Sequence, residues 1–239
     1  MSWHVSQKAA LRGDISTDSL LAGTRIYVHE DVYDKFVEQY TARMQAIQVG
    51  PNDQQGVDQG PQNSKMQYEK ILGYIKSGVD EGATVHLGGK PIERTEGGYY
   101  IQPTIFTDVK PDMKASRLSV HVAYYHKLTV SQIMREEIFG PVVCISKFKS
   151  ESEVLEQAND TTYGLAAAVH TKDYERALRV TSALKAGTTW VNMYNFVHWS
   201  IPFGGYKESG IGRECGEAVL ENYTQTKAVF FNMGMSAPK

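Results

Sequence analysis

"VVCISKF" (Val142–Phe148), "LAAAVH" (Leu165–His170) and "TTWVN" (Thr188–Asn192) are three short apolar stretches, and what separates them decides the fold. Each is bounded by polar or turn-forming residues and has the length of a strand. Between the first two, Ser150 opens a capping box, Ser150-x-x-Glu153, whose hydroxyl and carboxylate satisfy free amides at a helix start. That helix ends near Asn159. Between the second and third, Asp173–Lys185 reads as a helix closed by Gly187. The order is β-α-β-α-β with short connections, and parallel neighbours need such crossovers. The expected fold class is therefore α/β: an open, mostly parallel sheet with helices on both faces.

Upstream, Thr24–His29 alternates as a strand. Asp31–Ile47 then sets Val32, Phe36, Val37, Tyr40, Met44 and Ile47 at helical spacing until Gly50-Pro51 stops it. A Gly/Gln-rich loop leads to a second helix over Ser64–Asp80, with Tyr68, Ile71, Leu72, Ile75 and Val79 on one face. Short strands are expected at Thr84–Leu87 and Tyr100–Phe106. Downstream lie a Gly-rich aromatic loop (Met193–Gly212), a helix (Glu214–Tyr223) and a terminal strand (Lys227–Asn232).

Composition excludes several classes. A net charge of −2 with no Lys/Arg cluster speaks against a nucleic-acid surface. No apolar run approaches the roughly 20 residues of a membrane span. Met1–Ser16 lacks the apolar core of a secretory signal. Two cysteines in 239 residues do not make a disulfide framework. The expectation is a soluble, cytoplasmic protein with no membrane or nucleic-acid partner. Cys144, in an apolar strand, reads as a small buried hydrophobe. Cys215, at a helix start, is a weak nucleophile candidate. His121 and His126 are five apart with no partner ligands, so no metal site is expected.

Three stretches carry something more specific. "AGTRIYVHEDVYDKF" (Ala22–Phe36), "EEIFGPV" (Glu136–Val142) and "PFGGYKESGIGRE" (Pro202–Glu214) together resemble the NAD(P)-dependent aldehyde dehydrogenases, in family order. "QYEKILGYI" and "NDTTYGLAAAVHT" extend the likeness, which covers the C-terminal, catalytic-domain half of that family. The resemblance divides the chain into a divergent N-terminal segment (1–21), a catalytic-type domain (22–224) and a C-terminal oligomerisation strand with its tail (225–239). Within the second, 115–132 ("ASRLSVHVAYYHKLTVSQ") reads as an insertion.

The family reaction implies the parts to look for. A cysteine thiolate attacks an aldehyde to give a thiohemiacetal, hydride leaves for NAD or NADP, and water hydrolyses the thioester with a glutamate as general base. Here Leu20 occupies the nucleophile position. The general base, the oxyanion asparagine and the dinucleotide-binding turn belong to upstream sequence. By resemblance, Glu137 and Phe139 hold the nicotinamide ribose and ring, Gln67 and Lys70 make further ribose contacts, and Phe203 and Val197 line an aldehyde tunnel. His198 and Trp199 shape its mouth. The expectation is a chain inactive by itself that binds no cofactor alone. Its intact relatives would be homo-oligomers acting on aliphatic aldehydes, and the alternative is a non-catalytic module pairing with full-length subunits.

Overall fold

The alternation inside Val142–Phe148 sorts the protein into layers. Val143 and Ile145 face a cluster with Ile26, Val28, Tyr33, Val37, Tyr40 and Met44. Val142, Cys144 and Phe148 face the opposite cluster, with Ile71, Ile75, Val154, Ala158, Val180 and Leu184. A strand that is apolar on both sides must be covered on both sides, and this one is.

A computed structural model of the chain describes residues 4–7, 24–95, 97–109, 132–234 and 236. In chain order the elements are β1 (His4–Gln7), β2 (Arg25–His29), α1 (Tyr33–Gln45), α2 (Lys65–Asp80), β3 (Thr84–Leu87), β4 (Pro91–Ile92), β5 (Tyr100–Ile101) and β6 (Thr104–Thr107). They continue with α3 (Gln132–Arg135), β7 (Val142–Phe148), α4 (Glu151–Asn159), β8 (Ala166–His170), α5 (Tyr174–Ala183) and β9 (Thr188–Val191). Seven strands form one sheet in the order β3-β6-β7-β2-β1-β8-β9, and β4 pairs with β5 separately. β2, β6, β7, β8 and β9 all point the same way; β1 and β3 run against them. The expected mostly parallel α/β sheet is what the chain forms. α1 lies on one face and α2, α4 and α5 on the other.

The cap expected at Ser150 forms, and Ser64 and Asp173 cap their helices in the same way. Ser64 Oγ accepts from the Gln67 amide at 3.2 Å, Ser150 Oγ from Glu153 at 3.2 Å and Asp173 Oδ1 from Arg176 at 3.0 Å. The capping box closes one residue early, because the Glu153 carboxylate accepts from the Lys149 amide at 2.8 Å. Each such cap is worth about 1 kcal/mol.

Four expectations need correcting. Tyr100–Phe106 is not one strand: Gln102-Pro103 breaks it into β5 and β6, which serve different sheets. The helix expected over Glu214–Tyr223 is a single 3-10 stretch, Glu217–Asn222, with no buried side chain to hold it. Lys227–Asn232 joins no sheet among the described residues, since a strand needs a neighbour to bond; Phe230 is 94% exposed instead. The N-terminal segment, assigned no element, supplies β1 at the sheet's interior, between β2 and β8. Leu20, His121, His126 and the inserted segment up to residue 131 lie outside the described residues. Among the described residues, no helix is long and apolar enough to cross a membrane.

Candidate functional site

Most of the motif-bearing stretches collect at one rim of the sheet. Residues 136–141 lead into β7, 159–165 into β8 and 184–187 into β9, and Thr24 leads into β2. Because these strands are parallel, all four segments lie at their N-terminal ends. Backbone bonds tie them together: Thr104 donates to the Pro141 carbonyl at 2.8 Å, Cys144 to Thr24 at 2.7 Å and Gly187 to Gly164 at 2.9 Å. Ligands of open α/β sheets usually bind at the opposite rim, beyond the carboxyl ends of the strands. The site here departs from that rule.

The Glu136–Gly140 loop is shaped by α2. Gln67 donates from Nε2 to two successive carbonyls, Ile138 at 3.1 Å and Phe139 at 2.8 Å. Phe139 has φ = 56°, in the left-handed region that is unfavourable for a residue with a Cβ. Gly140 leaves room for Ile71: a Cβ on it would stand 2.6 Å from Ile71 Cδ1. Tyr74 donates its hydroxyl to Glu136 Oε2 at 2.7 Å. Burial and that carboxylate push the Tyr74 phenol well above its ordinary range. Lys70 is exposed, and its amine lies 5.7 Å from the centre of the Tyr74 ring.

Glu137 and Phe139 are half-buried, and Glu137 has Tyr163 as a neighbour. Partial burial raises the Tyr163 phenol pKa, and the carboxylates of Glu137, Glu208 and Glu136 add to the shift. The loops before β7 and β8 and the Gly-rich stretch thus meet in one acidic corner.

The stretch 202–214 reaches the rim through glycines and one lysine. Any Cβ on Gly187 would run into the Gly204 carbonyl oxygen. Tyr206 donates to the Gly164 carbonyl at 2.8 Å and Glu208 to that of Thr162 at 3.0 Å. The Lys207 amine donates to the carbonyls of Asn159 and Thr161 at 2.8 and 2.9 Å, where α4 ends. Burial and the nearby Lys185 and Arg25 charges lower its pKa. Phe203 is half-buried and exchanges backbone bonds of 2.8 and 2.7 Å with Glu214. Val197 is 46% exposed on the loop after β9, which Trp190 anchors by donating from Nε1 to the Phe196 carbonyl at 2.8 Å. His198 stacks on Trp199 with centroids 5.2 Å apart.

The structure therefore joins Gln67 directly to Phe139 and sets Glu137 near the Gly-rich stretch. Lys70 is turned to Tyr74, and Val197 sits apart on its own loop. Tyr74, Tyr163 and Lys207 are site-building residues that sequence reasoning passed over; for Tyr74 the signal was present, seven residues after Gln67 on one helix face. Cys144 is 1% exposed and donates weakly to the Ile133 carbonyl, its thiol pushed up to about 12 by burial, as befits a buried hydrophobe. Cys215 is partly exposed in a turn with φ = 62°. Among the described residues no group of three or more His, Cys, Asp or Glu is arranged to hold a metal.

The sequence profile described as the aldehyde dehydrogenase family matches residues 17–120 and 127–229. An aldehyde dehydrogenase of Agaricus bisporus is 50% identical over 212 residues, which is 89% of this chain and 38% of that protein. A protein of Leishmania tarentolae named "Aldehyde dehydrogenase, mitochondrial" is 48% identical over 88% of this chain and 38% of its own length. The NAD+ complex of an aldehyde dehydrogenase from Bacillus cereus superposes with a TM-score of 0.80 at 40% identity, covering 90% of this chain and 40% of that one. The chain thus spans about two fifths of the length of the relatives it matches. On the sequence match and the fold together, this chain belongs to the aldehyde dehydrogenase family.

Proposed function

We propose that this chain is the catalytic-domain half of an NAD(P)-dependent aldehyde dehydrogenase, and that it does not turn over aldehydes by itself. The observation that carries the reading is the loop at residues 136–140, which holds Glu137 and Phe139 half-buried at the rim where β7 begins. In this reading Glu137 accepts the nicotinamide ribose hydroxyls and Phe139 packs against the ring. Lys70 is a further ribose contact. Phe203 and Val197 line the approach of an aliphatic aldehyde. NAD or NADP, when bound, accepts the hydride. With Leu20 at the nucleophile position, no thiohemiacetal forms.

Purified chain mixed with NAD and acetaldehyde is expected to produce no NADH. Sustained NADH formation would overturn the inactivity. We place the chain in the cytoplasm, although the Leishmania relative is named mitochondrial; cell fractionation decides between the two.

A second reading has its own observation. Val229, Phe230 and Phe231 are 58%, 94% and 79% exposed on a segment that belongs to no helix or strand. Extended apolar backbone outside a sheet pairs readily with another chain. In that reading residues 227–232 complete an oligomer, either with a second copy or with a full-length subunit. Co-expression with a full-length relative should give a co-purifying complex that is lost when residues 225–239 are deleted. A chain that sediments as a monomer alone and in the mixture would count against it.

A further inference from the structure

Gln67, Ile71 and Tyr74 lie at i, i+4 and i+7 on α2, so they form one stripe of the helix. The stripe meets the 136–140 loop at three points. Tyr74 takes Glu136, Gln67 takes the carbonyls of Ile138 and Phe139, and Ile71 fills the notch over Gly140. We propose that this stripe is a template that sets the cofactor-facing loop, with Gln67 as the positioning residue for Phe139.

Three features support the assignment. First, the Gln67 amide orientation is fixed by chemistry: two carbonyl oxygens within 3.1 Å of one side-chain atom require that atom to be the nitrogen. Its N–H groups are then directed at the loop. Second, the bonds fall on the strained residue. Phe139 occupies the left-handed region at φ = 56°, a conformation that persists only where neighbouring contacts over-determine it. One nitrogen reaching the carbonyls on both sides of that residue's N–Cα–C unit is such a contact. Third, the platform itself is anchored. The Gln67 backbone amide is capped by Ser64, and Ile71 is fully buried.

The consequence for Glu137 follows from its neighbours. Glu136 is held by Tyr74 and Ile138 is buried, its carbonyl engaged by Gln67. Two adjacent carboxylates thereby differ: Tyr74 tethers Glu136, and Glu137 is the half-buried one beside it. What Phe139 and Glu137 face rests on the reading under Proposed function; the template does not.

The experiment uses the full chain, isotope-labelled for NMR. Gln67→Met keeps side-chain length and removes both donors. The wild type is expected to show the coupling and carbon shifts of a left-handed residue at Phe139, and the variant to lose them. Phe139→Gly removes the strain, so Gln67→Met should lower the melting temperature clearly in the wild-type background and several-fold less in the Phe139→Gly background. A Phe139 that stays left-handed in Gln67→Met, or an equal loss in both backgrounds, overturns the proposal. Nicotinamide mononucleotide is the ligand probe. Weakened binding in Gln67→Met with unchanged Phe139 shifts would make Gln67 a ribose contact and also overturn it. If wild-type Phe139 and Glu137 ignore the nucleotide while Gln67→Met still releases Phe139, the cofactor reading fails and the template stands.

Discussion

Cys144 shows how much one residue's surroundings decide. Its thiol is sealed in the apolar layer under α2 and α4, and burial raises its pKa to about 12, with the Arg25 charge opposing. The folded state therefore holds a proton that the unfolded chain releases from about pH 8.5 upward. Stability from this group is complete below the unfolded value and drains away as pH rises toward 12, by about 1.4 kcal/mol per pH unit in between. Urea midpoints should fall over pH 9–12 in the wild type and more gently in Cys144→Ala, whose lower starting stability reflects the small cavity. Equal slopes would show that the thiol does not titrate as argued. At pH 7.5 a thiol reagent should label Cys215 and leave Cys144 untouched until the chain is denatured. The sequence supported this reading of Cys144, because "VVCISKF" is apolar on both sides. It did not reveal the Gln67 clamp, which depends on residues 71 and 72 positions away.

At the scale of elements, the helices and parallel strands were legible because their signals are local. The capping box at Ser150, the helical spacing of Val37, Tyr40 and Met44, and the glycine stops all lie within a turn or two of what they determine. What was not legible depends on a partner. Residues 227–232 read as a strand but join no sheet among the described residues, and β1 carries no strong pattern yet finds two neighbours. Pro103 splits an apparent strand because the β5 and β6 halves bond to different sheets. The Gly-rich stretch tests the link between element and site most sharply. Gly187→Ala would push a methyl into the Gly204 carbonyl, a backbone atom that cannot rotate away. We expect a loss of about 3 kcal/mol, read as a lower urea midpoint, with faster amide exchange at Gly164, Tyr206 and Glu208. An unchanged midpoint would mean that the stretch packs less closely on β9 than described.

For the molecule as a whole, β1 bridges two blocks of the sheet. β3, β6, β7 and β2 lie on one side of it, β8 and β9 on the other, and among the described residues no other strand connects them in the sheet. Deleting residues 1–7 opens two interior edges, each a row of unpaired amides and carbonyls. The deletion should replace one cooperative melt by a broad one and increase aggregation; a single transition at the wild-type temperature would show that the blocks hold together through α4 and α5 alone. The same strand also constrains how the protein is made. Ser6 pairs with Ala168, so on a ribosome adding about 5–20 residues per second it waits roughly 10–30 s for that neighbour. Through that interval the nascent chain can complete β2, β6 and β7 but not the sheet. The long-range closure around β1 leaves a sheet edge open during synthesis, and assigns the nascent chain's most vulnerable moment to the gap between the making of β1 and that of β8.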